Sequence, residues 1–196
     1  MTLYKPYTGI GSRETPDEVL EIMSDVAYIL SDYGYTLRSG AANGADSAFE
    51  FGCICSVGKR EIYLPWEGFN NNSSNLYHIS DEAFAIAEKH HPSWNLLRED
   101  AKKLHARNTY QILGYQVNHP SLFVICYAHP QKGGTLQALR ISRIYNIPVI
   151  NLYKEYLSID EILDKVLIKR KKLTICDHYC CACSQYNRCV DETEKA

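Results

Sequence analysis

Two rhythms of apolar residues alternate along the chain. Apolar or aromatic runs at residues 4–10, 35–38, 60–64, 121–127 and 147–152 read as strands, and stretches with helical spacing lie between them. The 121–127 run is the most apolar, as expected of a parallel strand buried on both faces. The first helix is clearly marked. Thr15-Pro16-Asp17-Glu18 offers an N-cap threonine, a proline at the first helical position and a glutamate to close a capping box. Val19, Ile22, Met23, Val26, Ile29 and Leu30 follow on one face, and Gly34 takes the C′ place that ends the helix.

The pattern predicts further helices. One runs to about residue 55, with Asn43 able to cap it. Another starts at Ser80-Asp81-Glu82 and ends near His90-His91-Pro92. A longer helix over 96–117 has a stripe of Leu97, Ala101, Leu104, Ile112 and Tyr115, with Asn108 on the same stripe. Residues 135–145 form the next. Ser158-Ile159-Asp160-Glu161 is a capping box that opens the last, with Ile162, Leu163, Val166 and Leu167 inside. Between them, residues 66–80 read as a loop, long enough to suggest a lid or an insertion. Strands alternating with helices from 4 to 152 imply an α/β fold: a doubly wound, mainly parallel five-stranded sheet with helices on both faces. Right-handed crossovers leave a crevice where the strand order reverses.

Length and charge narrow the picture. A chain of 196 residues fits one domain with a small appendage and can bury roughly 70% of its unfolded surface. The division reads as a domain over 1–168 and a basic, cysteine-rich tail over 169–196. The net charge of −2 gives no global positive field for nucleic acid or membrane, so anion binding must be local. No apolar run approaches the ~20 residues of a membrane span, and the first residues lack a signal-peptide core, so the chain reads as cytoplasmic.

Candidate chemistry sits where strands end. Arg38-Ser39-Gly40-Ala41-Ala42-Asn43-Gly44-Ala45-Asp46 follows the second strand and opens a helix. Such a junction aims backbone N–H groups and the positive end of a helix dipole at one place, which attracts phosphate. Gly9-Ile10-Gly11-Ser12-Arg13 after the first strand and Gly133-Gly134-Thr135 after the fourth could build the same mouth. Each admits a plainer reading. Gly9 and Gly11 suit a tight turn as well as close backbone approach, with Ser12 and Arg13 either bonding phosphate or facing solvent. Asp46 either accepts a bond from a ribose or a base, or caps its helix behind Asn43. His105, Arg107 and Asn108 lie mid-helix; the arginine fork suits phosphate, and a buried asparagine must find partners in a ligand or a neighbouring backbone. His129-Pro130-Gln131-Lys132 precedes the third loop as a rim. There is no complete G-x-G-x-x-G, no H-E-x-x-H and no G-x-S-x-G.

With these residues assembled, the chain resembles the SLOG superfamily of Rossmann-like nucleotide-binding proteins, which holds the DNA-processing protein A family and the LOG phosphoribohydrolases. The likeness rests on the three glycine loops in order, with Ile147-Pro148-Val149-Ile150-Asn151-Leu152 after the third, and covers about residues 1–153. Leu104-His105-Ala106-Arg107-Asn108 with Leu113-Gly114 resembles a branch common in bacteriophage genomes. The resemblance implies a Rossmann-like sheet and a nucleotide or nucleotide-derived ligand whose phosphates sit on the glycine loops. In the DNA-processing branch it implies single-stranded DNA as a partner and a homo-oligomer. The LOG hydrolases carry a glutamate soon after their Gly-Thr. Here Gly134-Thr135-Leu136-Gln137-Ala138 has glutamine and alanine, so cleavage of a nucleotide's N-glycosidic bond would need Glu50, Asp46 or Glu67 instead.

The cysteines divide in two. Cys53, Cys55 and Cys126 lie in apolar surroundings and read as reduced core residues. Cys176, Cys180, Cys183 and Cys189, with Cys181 and His178 as spares, could supply one tetrahedral Zn2+ site, an iron–sulfur cluster, or free thiols. Beside them, the run Lys169-Arg170-Lys171-Lys172 is either a solvated helix end or a contact for nucleic-acid phosphates. Three functions stay open: a binding protein for a nucleotide or nucleotide-derived molecule, a nucleoside 5′-monophosphate N-glycosidase, and a single-stranded-DNA-binding mediator.

Overall fold

The computed structural model describes residues 4–131, 133–155 and 157–167. The cysteine tail and the 169–172 basic run lie outside the described residues. The elements are β1 (Pro6–Gly11), α1 (Asp17–Asp32), β2 (Thr36–Ser39), α2 (Ala45–Cys55), β3 (Lys59–Ile62), α3 (Asp81–His90), α4 (Glu99–Leu113), β4 (Val124–Tyr127), α5 (Thr135–Ile144), β5 (Val149–Asn151) and α6 (Ile159–Val166). The strands are all parallel, in the order β3-β2-β1-β4-β5. The doubly wound α/β sheet expected from the pattern is the sheet observed.

Alternation along β1 shows how both faces are covered. Tyr7 packs into a core with Met23 and Val26 of α1 and Phe49 of α2. Thr8 points the other way, donating from Oγ1 to the carbonyl of Gln111 on α4 at 2.6 Å. Gly9 returns to the α2 side, where a Cβ would stand 2.5 Å from the Phe49 ring. Ile10 joins Tyr110 and Ile112 of α4 on the opposite face. So α1, α2 and α6 cover one face, and α3, α4 and α5 the other. The chain winds outward from β1 through β2 to β3, then returns to place β4 on β1's other side. Order reverses between β1 and β4, whose last pair is Gly11 with Tyr127. A ligand crevice forms at the carboxyl ends of strands at such a point.

Several local expectations need correction. Thr15 does not cap α1: its hydroxyl donates back to the Ser12 carbonyl at 2.8 Å, and Pro16 occupies the N-cap without a side-chain bond. Asn43 does not cap α2 either, because Gly44, at φ +83°, takes that place. The long helix is shorter than its pattern. A 3-10 turn at Trp94–Leu96 precedes it and Gly114, at φ +77°, stops it. Tyr115, expected inside, is half exposed and stacks on Tyr110 at 5.6 Å. Cys55 is half-buried, whereas Cys53 and Cys126 are buried; all three are free thiols.

The 66–80 loop is an insertion fastened to the sheet edge. Ser74 Oγ donates to the Ile62 carbonyl at 2.6 Å, Asn70 donates to Ala41's at 2.8 Å, and Phe69 is buried. The α6 capping box is formed as expected: Ser158 Oγ accepts from the Glu161 N–H, and Glu161 Oε2 accepts from the Ser158 N–H at 2.8 Å. Its Ile162, Leu163 and Val166 close the core over α1. Ser158→Ala is expected to cost about 1 kcal/mol, lowering the melting temperature by roughly 2–4 °C in a calorimetric scan.

Candidate functional site

A cavity of about 620 Å³ opens at the carboxyl ends of β1 and β4. That size falls among small-molecule sites, roughly 300–1,000 Å³. The loop after β1 lines it with Gly11, Ser12, Arg13 and Glu14. Asp46, from the first turn of α2, lines it as well, and Gly133, Gly134 and Thr135 bring in the start of α5. The wall from α4 includes Leu104, His105, Arg107 and Asn108. Tyr127, His129 and Tyr153 complete the rim beyond β4 and β5.

The loop after β1 is held in shape by its own bonds. The Ser12 N–H donates to the Tyr127 carbonyl at 2.9 Å, and the Ser12 carbonyl accepts from the Ala45 N–H at 3.2 Å. The Ser12 hydroxyl accepts from the Glu14 N–H at 3.0 Å. Arg13 is exposed, so its guanidinium is a cation on this rim with freedom to reach a ligand.

The glycines separate into two groups by what surrounds them. A Cβ on Gly11 would stand 2.5 Å from that of Ala45, and one on Gly44 would meet the Ser12 carbonyl at 2.6 Å. A Cβ on Gly40 would lie inside the envelope of the Arg107 guanidinium. Together with Gly9, these glycines let α2 and α4 approach the sheet. Gly9, Ser39, Gly40, Gly44 and Ala45 accordingly stand behind the cavity wall. Gly133 and Gly134 are different, since among the described residues nothing lies within 4 Å of a Cβ built on either. Gly133 needs its φ of +104°, but Gly134 sits at φ −64°, where any residue is comfortable. Protein packing does not demand a glycine at 134; an approaching ligand would.

Beneath the cavity lies a buried charge cluster. Arg107 donates from Nη1 to the Gly40 carbonyl, and to that of Tyr63 at 3.3 Å. The same nitrogen stands 3.8 Å from Asp46 Oδ2. One guanidinium thereby joins the ends of β2 and β3 to the start of α2. Asp46 is 4% exposed; its Oδ1 accepts from the Gly11 N–H at 3.2 Å, and Gln111 Nε2 donates to Oδ2 at 3.5 Å. Glu50, behind it, accepts from the Ala41 N–H at 2.8 Å. Burial pushes the Asp46 carboxyl above its ordinary value, against the pull of Arg107. Burial, then the Asp46 charge, lifts Glu50 to about 7. His105 moves the other way. Burial, with His91 and the Arg140 and Arg107 charges, drops it to about 4, so its imidazole is neutral at physiological pH.

Of the residues expected to bind ligand, Gly11, Ser12, Arg13, Asp46, Arg107, Asn108, Gly133, Gly134 and Thr135 line this one cavity, whereas Gly9, Ser39, Gly40, Gly44 and Ala45 do not. His129 was expected on a rim, but Tyr127 and Tyr153 were not, because neither lies beside a glycine signal. Asn108 lines the cavity and donates to the Gly134 carbonyl at 3.3 Å. Gln137, where the LOG hydrolases have glutamate, is 1% exposed and donates to the Ala87 carbonyl at 2.8 Å; it supports α3 and does not line the cavity. Of Glu50, Asp46 and Glu67, Asp46 alone lines it. Among the described residues no group of three or more His, Cys, Asp or Glu side chains could hold a metal, and no helix is long and apolar enough to cross a membrane.

Neither the protein-family models nor the curated proteins contain a match to this chain. Solved structures do match. DNA processing protein A from Helicobacter pylori, described for its single-stranded DNA binding mode, superposes with a TM-score of 0.51 at 19% identity, over 83% of this chain and 72% of that one. DNA processing protein A from Streptococcus pneumoniae superposes with 0.47 at 15%, and this chain covers 49% of its length. The molybdenum cofactor carrier protein from Chlamydomonas reinhardtii gives 0.41 at 12%, over 84% of this chain and 99% of that one. The Helicobacter structure, a DNA-processing-type neighbour, shares the Rossmann-like fold.

Proposed function

We propose that this chain binds a nucleotide, or a nucleotide-derived molecule, in the cavity between β1 and β4, and that it is a SLOG-type protein of the phage-like branch. The phosphate lies against the Ser12–Arg13 loop and the N-terminal turn of α5. The observation that carries this reading is the space at Gly134: the backbone approaches the cavity, no side chain of the described residues fills it, and their packing gives no reason for the glycine. Helix N-terminal N–H groups and dipole favour an anion there. Arg13 supplies a mobile cation from the facing loop. A chain with net charge −2 has to bind anions through such local features.

Thermal unfolding in the presence of nucleoside 5′-monophosphates tests the reading. A ligand at a hundred times its Kd stabilises by about 2.7 kcal/mol, so the melting temperature should climb with concentration. A flat response to every nucleotide, alongside tight binding of single-stranded oligonucleotides that weakens steeply with salt, would replace the reading with the polymer-binding one. Release of free base during the titration would add turnover to it.

Gly134→Ala separates fold from site. The substitution meets no atom of the described residues and should leave the melting temperature of the free protein unchanged or raised by about 1–4 °C, since its φ suits alanine. Nucleotide affinity should fall about tenfold, as a methyl group displaces the phosphate from backbone N–H groups. Unchanged affinity in calorimetric titration would remove the phosphate from this turn.

A further inference from the structure

The cavity's other end is aromatic. Tyr153 meets Tyr127 at 5.2 Å and 66°, and His129 at 5.0 Å and 62°. Both contacts are edge-to-face, so the neighbours brace the Tyr153 ring without stacking over it. Tyr153 remains 39% exposed at the cavity rim. Its position is fixed by Asn151 at the end of β5. The Asn151 side chain accepts from the Ala128 N–H at 3.0 Å and donates to the Ala128 carbonyl at 2.8 Å, continuing the β4–β5 ladder past its last backbone pair. Its Oδ1 also accepts from the Tyr153 N–H at 3.2 Å. One connection, from Tyr127 to Thr135, thus carries aromatic rings at its beginning and the start of a helix at its end.

Resting on the nucleotide reading above, we propose that Tyr153, held by Asn151 and braced by Tyr127 and His129, is the base platform of the site, and that its occupant is a purine mononucleotide. A base lying on the Tyr153 ring shares its π-face with the tyrosine, an interaction available to every base. A purine offers the larger face and is preferred. The ring and the α5 turn line the same cavity, which places the phosphate of the same molecule at that turn.

Calorimetric titration of the full-length protein with adenosine 5′-monophosphate, uridine 5′-monophosphate and ribose 5-phosphate tests this. The wild type should bind adenosine 5′-monophosphate most tightly and ribose 5-phosphate at least tenfold more weakly. Tyr153→Ala should weaken adenosine 5′-monophosphate about ten- to a hundredfold while ribose 5-phosphate keeps its wild-type Kd. Tyr153→Phe should preserve both. Asn151→Ala, acting through position, should weaken the nucleotide without changing ribose 5-phosphate. If Tyr153→Ala leaves the nucleotide unaffected, or weakens both ligands equally, the platform is wrong though the cavity reading stands. If the wild type binds none of the three, the cavity reading itself falls.

Discussion

Arg107→Leu should lower the unfolding free energy by about 3–5 kcal/mol, the usual cost of removing one partner from a buried ion pair. The expected fall in melting temperature is roughly 10 °C. The guanidinium holds the carbonyls of Gly40 and Tyr63 and faces Asp46, so the β2–α2 connection and the chain after β3 lose their shared anchor in one substitution. The loss also removes the Arg107 charge from beside the buried Asp46 and Glu50, and both carboxyls are already raised by burial. The deficit should therefore be smaller at pH 5, where Glu50 is protonated, than at pH 8. Arg107→Lys should recover only part of it, because an ammonium lacks the rigid fork. Urea unfolding at both pH values measures all three quantities. A deficit under about 1 kcal/mol at pH 8 would show that the cluster is not what joins these loops.

Glu50→Gln should act in the opposite direction at high pH. The carboxyl stands near 4.5 when unfolded and about 7 when folded, so the native state holds the extra proton in between. Stability from this group is full below about pH 4.5, declines as pH rises, and is lost above about 7. Ionising it in place costs about 3 kcal/mol. The glutamine amide can still accept the Ala41 N–H and cannot ionise. The variant should exceed the wild type by about 2–3 kcal/mol at pH 8 and lose most of that advantage at pH 5. His105 slopes the other way: its folded value near 4 lies below the ordinary 6.5, so its contribution is present above 6.5 and lost as pH falls. Taking the difference between variant and wild type at each pH cancels the histidine. A difference independent of pH would mean Glu50 is ionised in the native state like a surface carboxylate.

The strand–helix alternation was legible because it follows from side-chain periodicity alone, and it was enough to imply a crevice at a reversal of strand order; that the reversal falls between β1 and β4 is shown by the sheet itself. The reasons for the glycines were not legible. Gly9, Gly11, Gly40 and Gly44 look in sequence like the same phosphate-loop signal as Gly133 and Gly134. They admit Phe49, Ala45, Arg107 and the Ser12–Arg13 backbone, contacts between residues far apart in the chain. Arg107 similarly read as a phosphate ligand, but its Nη1 is engaged by two carbonyls of its own chain. The Thr15 cap failed because the helix starts one residue later, with Pro16 at the N-cap, which leaves the Thr15 hydroxyl outside it to donate to the Ser12 carbonyl. Tyr153 was invisible, since nothing local distinguishes a rim tyrosine from the many others.

Amide chemical-shift mapping on titration with adenosine 5′-monophosphate is the most direct measurement, and a 22.4 kDa chain suits it. The account predicts the largest shifts on the N–H groups of Arg13, Gly134 and Thr135, with smaller ones at Tyr153 and little change along α1 and α6. Shifts clustered on any other face, or none at saturating ligand, would contradict it.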